Sequence, residues 1–121
     1  MGMTNAEAKA TLDARFPTTG AGDYIAYSTN GTSETGSLAR TAIGATGWSA
    51  ATTADPSVKA NANTLTSANA SGAITVTHWC VYSASSGGTQ RTEWDSLDTP
   101  RTLASGEAGQ WAAGALKITL T

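Results

Sequence analysis

The chain is 121 residues long with only 13% charged residues and a net charge of −2, so it has the length of one domain and about half the ~25% charge of ordinary soluble proteins. Lys9, Arg15, Arg40, Lys59, Arg91, Arg101 and Lys117 form no basic run, which argues against an electrostatic grip on nucleic acid. The absence of any apolar stretch near the roughly 20 residues of a membrane helix argues against a membrane-bound protein, and the lone Cys80 rules out an internal disulfide. Small hydroxylated and methyl side chains replace the missing charge. Such a surface costs little to desolvate and suits repeated contact with other subunits.

Thr4 followed by Glu7 has the spacing of a capping box. Ala8, Leu12 and Phe16 then recur every four residues until Pro17 stops the pattern, which predicts a helix over 4–16 with Lys9 and Asp13 paired on its exposed side. Its apolar stripe is expected either on the sheet or, since so short a helix is marginal alone, on a neighbouring subunit. The Met1-Gly2 start lacks the Ser or Thr of a myristoylation signal, having Ala6 instead. The opening residues also lack the apolar core of a signal peptide.

From residue 22 to 121 the pattern changes to alternation punctuated by Gly, Asn-Gly and Asp-Pro. Asp23 to Ser28 and Leu38 to Ile43 are predicted to pair antiparallel around an Asn30-Gly31 hairpin-type turn, while residues 44–54 around Trp48 give no clear element. Ser57 to Thr66 is predicted as one weak strand. Ala73 to Ser83 (AITVTHWCVYS) is the strongest strand of the chain, apolar on both faces and therefore expected between two layers. An edge strand over Gln90 to Leu97, short strands at Arg101–Ala104 and Gln110–Ala112, and a half-buried strand at the C-terminal LKITLT complete the series. In that last strand Leu116, Ile118 and Leu120 share one face, and Lys117, Thr119 and Thr121 the other. The expected fold is mostly β, an antiparallel β-sandwich or jelly roll of seven to nine strands with one short N-terminal helix, in a single domain over 1–121.

Chemistry-bearing residues are few. His78 and Cys80 share a strand face, but two ligands do not make a structural zinc site and no second Cys or His exists. No cofactor or metal is therefore expected, and both are read as core residues. Glu93, Asp95 and Asp98 around Trp94 are the nearest approach to the carboxylate pair and aromatic platform of a glycosidase, yet such acids are also common guards of sheet edges. There is no G-x-S-x-G elbow and no phosphate loop. Asn30-Gly31-Thr32 and Asn69-Ala70-Ser71 match glycan acceptors but coincide with turn signals. Trp48, Trp79, Trp94 and Trp111 are many for a chain with one Phe. Trp79 is expected in the core. Trp48, Trp94 and Trp111, with Leu12 and Phe16, are the candidate interface residues, because tryptophan is enriched at interface hot spots.

NAEAKATLDARFP, DYIAYSTNGTSE, LARTAIGATGWSAAT, VTHWCVYSASSGGT and TPRTLASGEAGQWAAGALKITLT occur in an order that resembles small structural proteins of tailed bacteriophages, variously labelled tail-fibre or virion proteins. The resemblance covers most of the chain and rests most heavily on the VTHW segment and the AAGALKITL ending. It implies a non-enzymatic β-sandwich made in the bacterial cytoplasm and carried in several copies on the outside of the particle. With neither repeat nor heptad to build a shaft, the expectation is a capsid decoration protein, a homotrimer bound to the major capsid protein of the mature head. The alternatives are a tail or fibre component that adheres to host-surface glycans through Trp94 or Trp48, and a polysaccharide hydrolase using Glu93 and Asp95.

Overall fold

The structure is a computed structural model that describes Met3 to Leu120; the Met1-Gly2 start and Thr121 lie outside the described residues. One helix, α1 (Asn5–Arg15), precedes eight strands: β1 (Tyr24–Ser28), β2 (Thr41–Ala42), β3 (Ser57–Ala60), β4 (Leu65–Asn69), β5 (Ile74–Tyr82), β6 (Asp95–Leu103), β7 (Ala108–Trp111) and β8 (Lys117–Leu120). The chain is thus mostly β with one short N-terminal helix. Every ladder is antiparallel: a four-stranded sheet in the order β2-β1-β5-β6, and the two-stranded pairs β3-β8 and β4-β7. Residues from the sheet, both pairs and the helix meet in one buried cluster.

α1 begins where the capping spacing predicts it, with Thr4 Oγ1 accepting the Glu7 amide at 3.2 Å. Ala8, Leu12 and Phe16 are buried at 2, 3 and 6% exposure, so the stripe packs inside its own chain rather than on a neighbour. A charged junction fastens the helix to β3. Lys59 is wholly buried, yet its Nζ lies 2.9 Å from Asp13 Oδ1 and donates to the Ser49 carbonyl at 2.7 Å. Asp13 also accepts Lys9 Nζ at 2.7 Å, the predicted pair, and the Ala51 amide at 2.9 Å. Burial by itself raises the Asp13 carboxyl, but the hydrogen bonds from Lys9, Ala51 and Lys59 overcome it and hold the group well below the usual carboxylate range.

The strongest predicted strand is β5, hydrogen-bonded to β1 and β6, with pairs such as Ala26 to Cys80 and Ser28 to His78. Val76, Trp79 and Val81 face the core. The opposite face is covered by the link between β1 and β2. Gly31 sits against the His78 ring with a left-handed φ of +76°, and a Cβ there would lie 2.9 Å from His78 Nε2. Farther on, Arg40 grips Glu34 through two bonds of 2.9 and 2.8 Å, donates to the Ala84 and Gly87 carbonyls, and stacks over the Tyr82 ring at 3.7 Å. Cys80 lies beneath this cover with no exposure, and burial, followed by the nearby Glu34 charge, pushes its thiol up to about 12. It is an inert core residue.

Four segments depart from the sequence expectation. Asn30-Gly31 opens a long strap rather than a tight hairpin, because the Ser28 hydroxyl and the Asn30 side chain capture the following amides and curl the chain. Pairing of the second predicted strand is consequently confined to Thr41–Ala42. Ser57 to Thr66 divides into β3 and β4 at Asn61, whose buried side chain donates to the Asn63 and Ala112 carbonyls and accepts the Leu116 amide, each at 2.9 Å. β6 runs from Asp95 through Arg101 to Leu103, merging two predicted strands and leaving Gln90 only a bridge to Tyr82. Its register slips between the Val76–Arg101 and His78–Ser96 pairs, where Pro100 needs no ladder donor.

Tyr27 and Trp111 stack across the layers, with centroids 4.8 Å apart and planes inclined by 14°. The Trp111 ring also lies against Gly109, where an added Cβ would come within 2.7 Å of it. With Tyr27 on one side the ring has nowhere to go, so Gly109→Ala is expected to cost about 1–3 kcal/mol by overpacking, checked by urea denaturation. Asp13→Asn leaves the Lys59 charge buried without its partner and is expected to cost about 3–5 kcal/mol. The depressed Asp13 carboxyl contributes stability that is present above its unfolded pKa of about 3.9 and is lost as pH falls below it. The variant's unfolding free energy is therefore expected to fall less steeply than the wild type's between pH 5 and 2 in the same titration.

Candidate functional site

An open groove of about 470 Å³ lies between the C-terminal half of α1, the segment leading into β6, and β8. Its floor is apolar, made by Leu12, Phe16 and Trp79, each under a tenth exposed. Its rim is polar: Arg15 on the helix side, Glu93 and Asp95 beside the half-buried Trp94, and Lys117 and Thr119 on β8. The helix presents Leu12, Arg15 and Phe16 to one groove because positions three and four apart fall on one face.

A second charged junction shapes this region. Asp23, 5% exposed, is ion-paired with Arg91 Nη1 and accepts Trp48 Nε1 at 3.1 Å. The Arg91 guanidinium also donates to the Arg15 carbonyl at 2.5 Å and lies 4.5 Å over the Phe16 ring. Phe16 meets Trp48 edge-on at 5.7 Å. One guanidinium thereby ties the end of α1, the start of β1 and the segment before Trp94 together. The groove wall is preorganised by these contacts.

Of the five candidate interface residues, Leu12, Phe16 and Trp94 converge on this groove, whereas Trp48 and Trp111 do not reach it. Trp48 and Trp111 are each 1% exposed and hold the core from inside. Of the four tryptophans, only Trp94 has access to solvent. The Trp111 indole N–H is buried without a hydrogen-bond partner among the described residues; its ring is held by the Tyr27 stack and by core packing. Sequence reading identified Trp94, Glu93 and Asp95 as one cluster but missed Arg15, Arg91 and Lys117, which are distant in sequence and carry no motif.

His78 stands apart from the groove, with Nδ1 2.7 Å from Thr77 Oγ1 and Nε2 3.3 Å from Ser96 Oγ. No carboxylate orients the ring, so the arrangement lacks the acid of a hydrolytic triad. No group of three or more His, Cys, Asp or Glu able to hold a metal occurs among the described residues, and no helix there is long and apolar enough to cross a membrane.

The two kinds of groove residue predict different mutational behaviour. Phe16→Ala is expected to destabilise the protein by about 3–5 kcal/mol as a core cavity, while Trp94→Ala, outside any strand and half-buried on the rim, is expected to cost clearly less, about 1 kcal/mol. Thermal denaturation followed by circular dichroism distinguishes them.

A search of the curated proteins finds no match to the chain. A family model described as podophage GP4 fiber I protein gp80 matches residues 2–119. Coverage of nearly the whole chain, on an antiparallel β fold with one short N-terminal helix, agrees with the phage structural resemblance of the sequence. The chain belongs to the podophage GP4 fiber I protein gp80 family and is a structural component of a phage particle.

Proposed function

We propose that this chain is a non-enzymatic domain of a podophage fibre, exposed on the particle and acting by adhesion. The observation that carries the reading is the match of a fibre-protein family to residues 2–119. The architecture is consistent with it: the charged junctions at Asp13, Asp23 and Arg40 join segments within the chain, leaving a weakly charged surface suited to packing beside other subunits. Edge strand β6 carries Asp95, Asp98, Pro100 and Arg101, which discourage uncontrolled edge-to-edge pairing. Assembly in several copies, as a trimer, is part of the proposal.

The capsid decoration reading, with the major capsid protein as partner, has no feature of the fold or groove in its favour over the fibre. A hydrolase built on Glu93 and Asp95 also lacks specific support, since both are exposed on the rim of an open groove. Gold labelling of an epitope tag on phage particles, imaged by electron microscopy, tests the location. Label at the fibres in few copies is the expected result; label covering the head would overturn it. Mass photometry of the purified chain is expected to show a mass three times that of the monomer.

A further inference from the structure

The groove beside Trp94 has a chemistry that narrows its ligand. Arg15, Arg91 and Lys117 bring three positive charges to its lining, and Glu93 and Asp95 bring two negative ones. Arg91 is already neutralised by the buried Asp23 carboxylate, so among the described lining residues the remaining cations and anions balance. A phosphorylated or strongly acidic ligand would meet two carboxylates, and a polycation two cations. A purely apolar ligand would desolvate the whole charged rim without supplying hydrogen bonds.

A ligand that both donates and accepts hydrogen bonds, is neutral, and has an apolar face for an indole satisfies every part. Hydroxyl groups donate to the Glu93 and Asp95 carboxylates and accept from Arg15 and Lys117. The C–H face of a pyranose ring is apolar and flat enough to lie on Trp94. The groove volume of about 470 Å³ falls within the ~300–1,000 Å³ range of small-ligand sites. Its open form admits a segment of a longer chain.

We propose that this groove binds a short segment of a neutral polysaccharide, with Trp94 as the stacking platform, Glu93 and Asp95 as hydroxyl acceptors, and Arg15 and Lys117 as donors. The proposal deepens the adhesive reading given above and rests on it for biological sense, but binding by the purified chain is independent of where the protein sits on the particle. Glu93 and Asp95 hold the sugar without cleaving it.

The test is binding of the purified full chain to an array of immobilised bacterial polysaccharides, neutral and acidic, followed by titration of the tightest binder. A neutral polysaccharide is expected to bind, with affinity reduced at least 10-fold by Trp94→Ala and several-fold by Glu93→Gln, both variants remaining folded. Trp94→Phe, which retains an aromatic face, is expected to recover part of the loss. Binding to no neutral polysaccharide, preference for acidic ones, or affinity unchanged in Trp94→Ala would overturn the site. Release of reducing ends from the bound polysaccharide, abolished in Glu93→Gln, would overturn the non-cleaving role. Because gold labelling reports location separately, a failed array with fibre-located label rejects only the sugar site, and bound sugar with head-located label rejects only the fibre.

Discussion

The buried Lys59 ammonium and its Asp13 partner are the constraint on which the rest of the molecule depends. An eleven-residue helix has little stability alone, and an ammonium with no solvent exposure is costly unless its charge and donors are answered. Each problem resolves the other. Asp13 reaches from α1 to Lys59 on β3 and to the Ala51 amide, which seats the helix at one height and rotation. Only then do Leu12 and Phe16 enter the core and form the floor of the groove.

The same device recurs at two other junctions. Arg40 joins the strap after β1 to the glycine turn after β5, and Arg91 joins the end of α1 to the start of β1. In each of these three ion pairs one member is under a tenth exposed. A chain with so few charges thus places several where segments meet inside it, and the charges left on the outside, such as Arg15, Glu93, Asp95 and Lys117, are spread thinly among Thr, Ser, Ala and Gly. That distribution explains how a weakly charged protein keeps a unique arrangement of short strands. The ladders alone, several of only two to five residues, offer little register specificity.

The tryptophans divide between the core and the groove rim. Trp48, Trp79 and Trp111 are buried in the core, Trp48 held by its bond to Asp23, Trp111 by its stack on Tyr27, and Trp79 serving as groove floor. Trp94 is displaced onto the rim because it lies just before β6 begins, among charged residues that cannot enter the core. Such a separation lets the rim vary without disturbing the packing that holds it.

Elements whose signals are local were legible in the amino-acid order. The capped helix, the two-faced apolar run of β5, the terminal strand and the antiparallel β character all follow from periodicity and turn chemistry within windows of about ten residues. The phage structural family was legible too, through segments spread along the whole chain. What only the tertiary structure decided depends on partners far apart in sequence: that Asn61 breaks one predicted strand into two by bonding residues near position 114, that the strap over β5 replaces a hairpin, and that Lys59 is buried rather than exposed. The groove belongs to this second class. Arg15, Trp94 and Lys117 are separated by most of the chain and share no motif, and burial, which periodicity does not report for an isolated Trp or Lys, determined which of the candidates reach solvent.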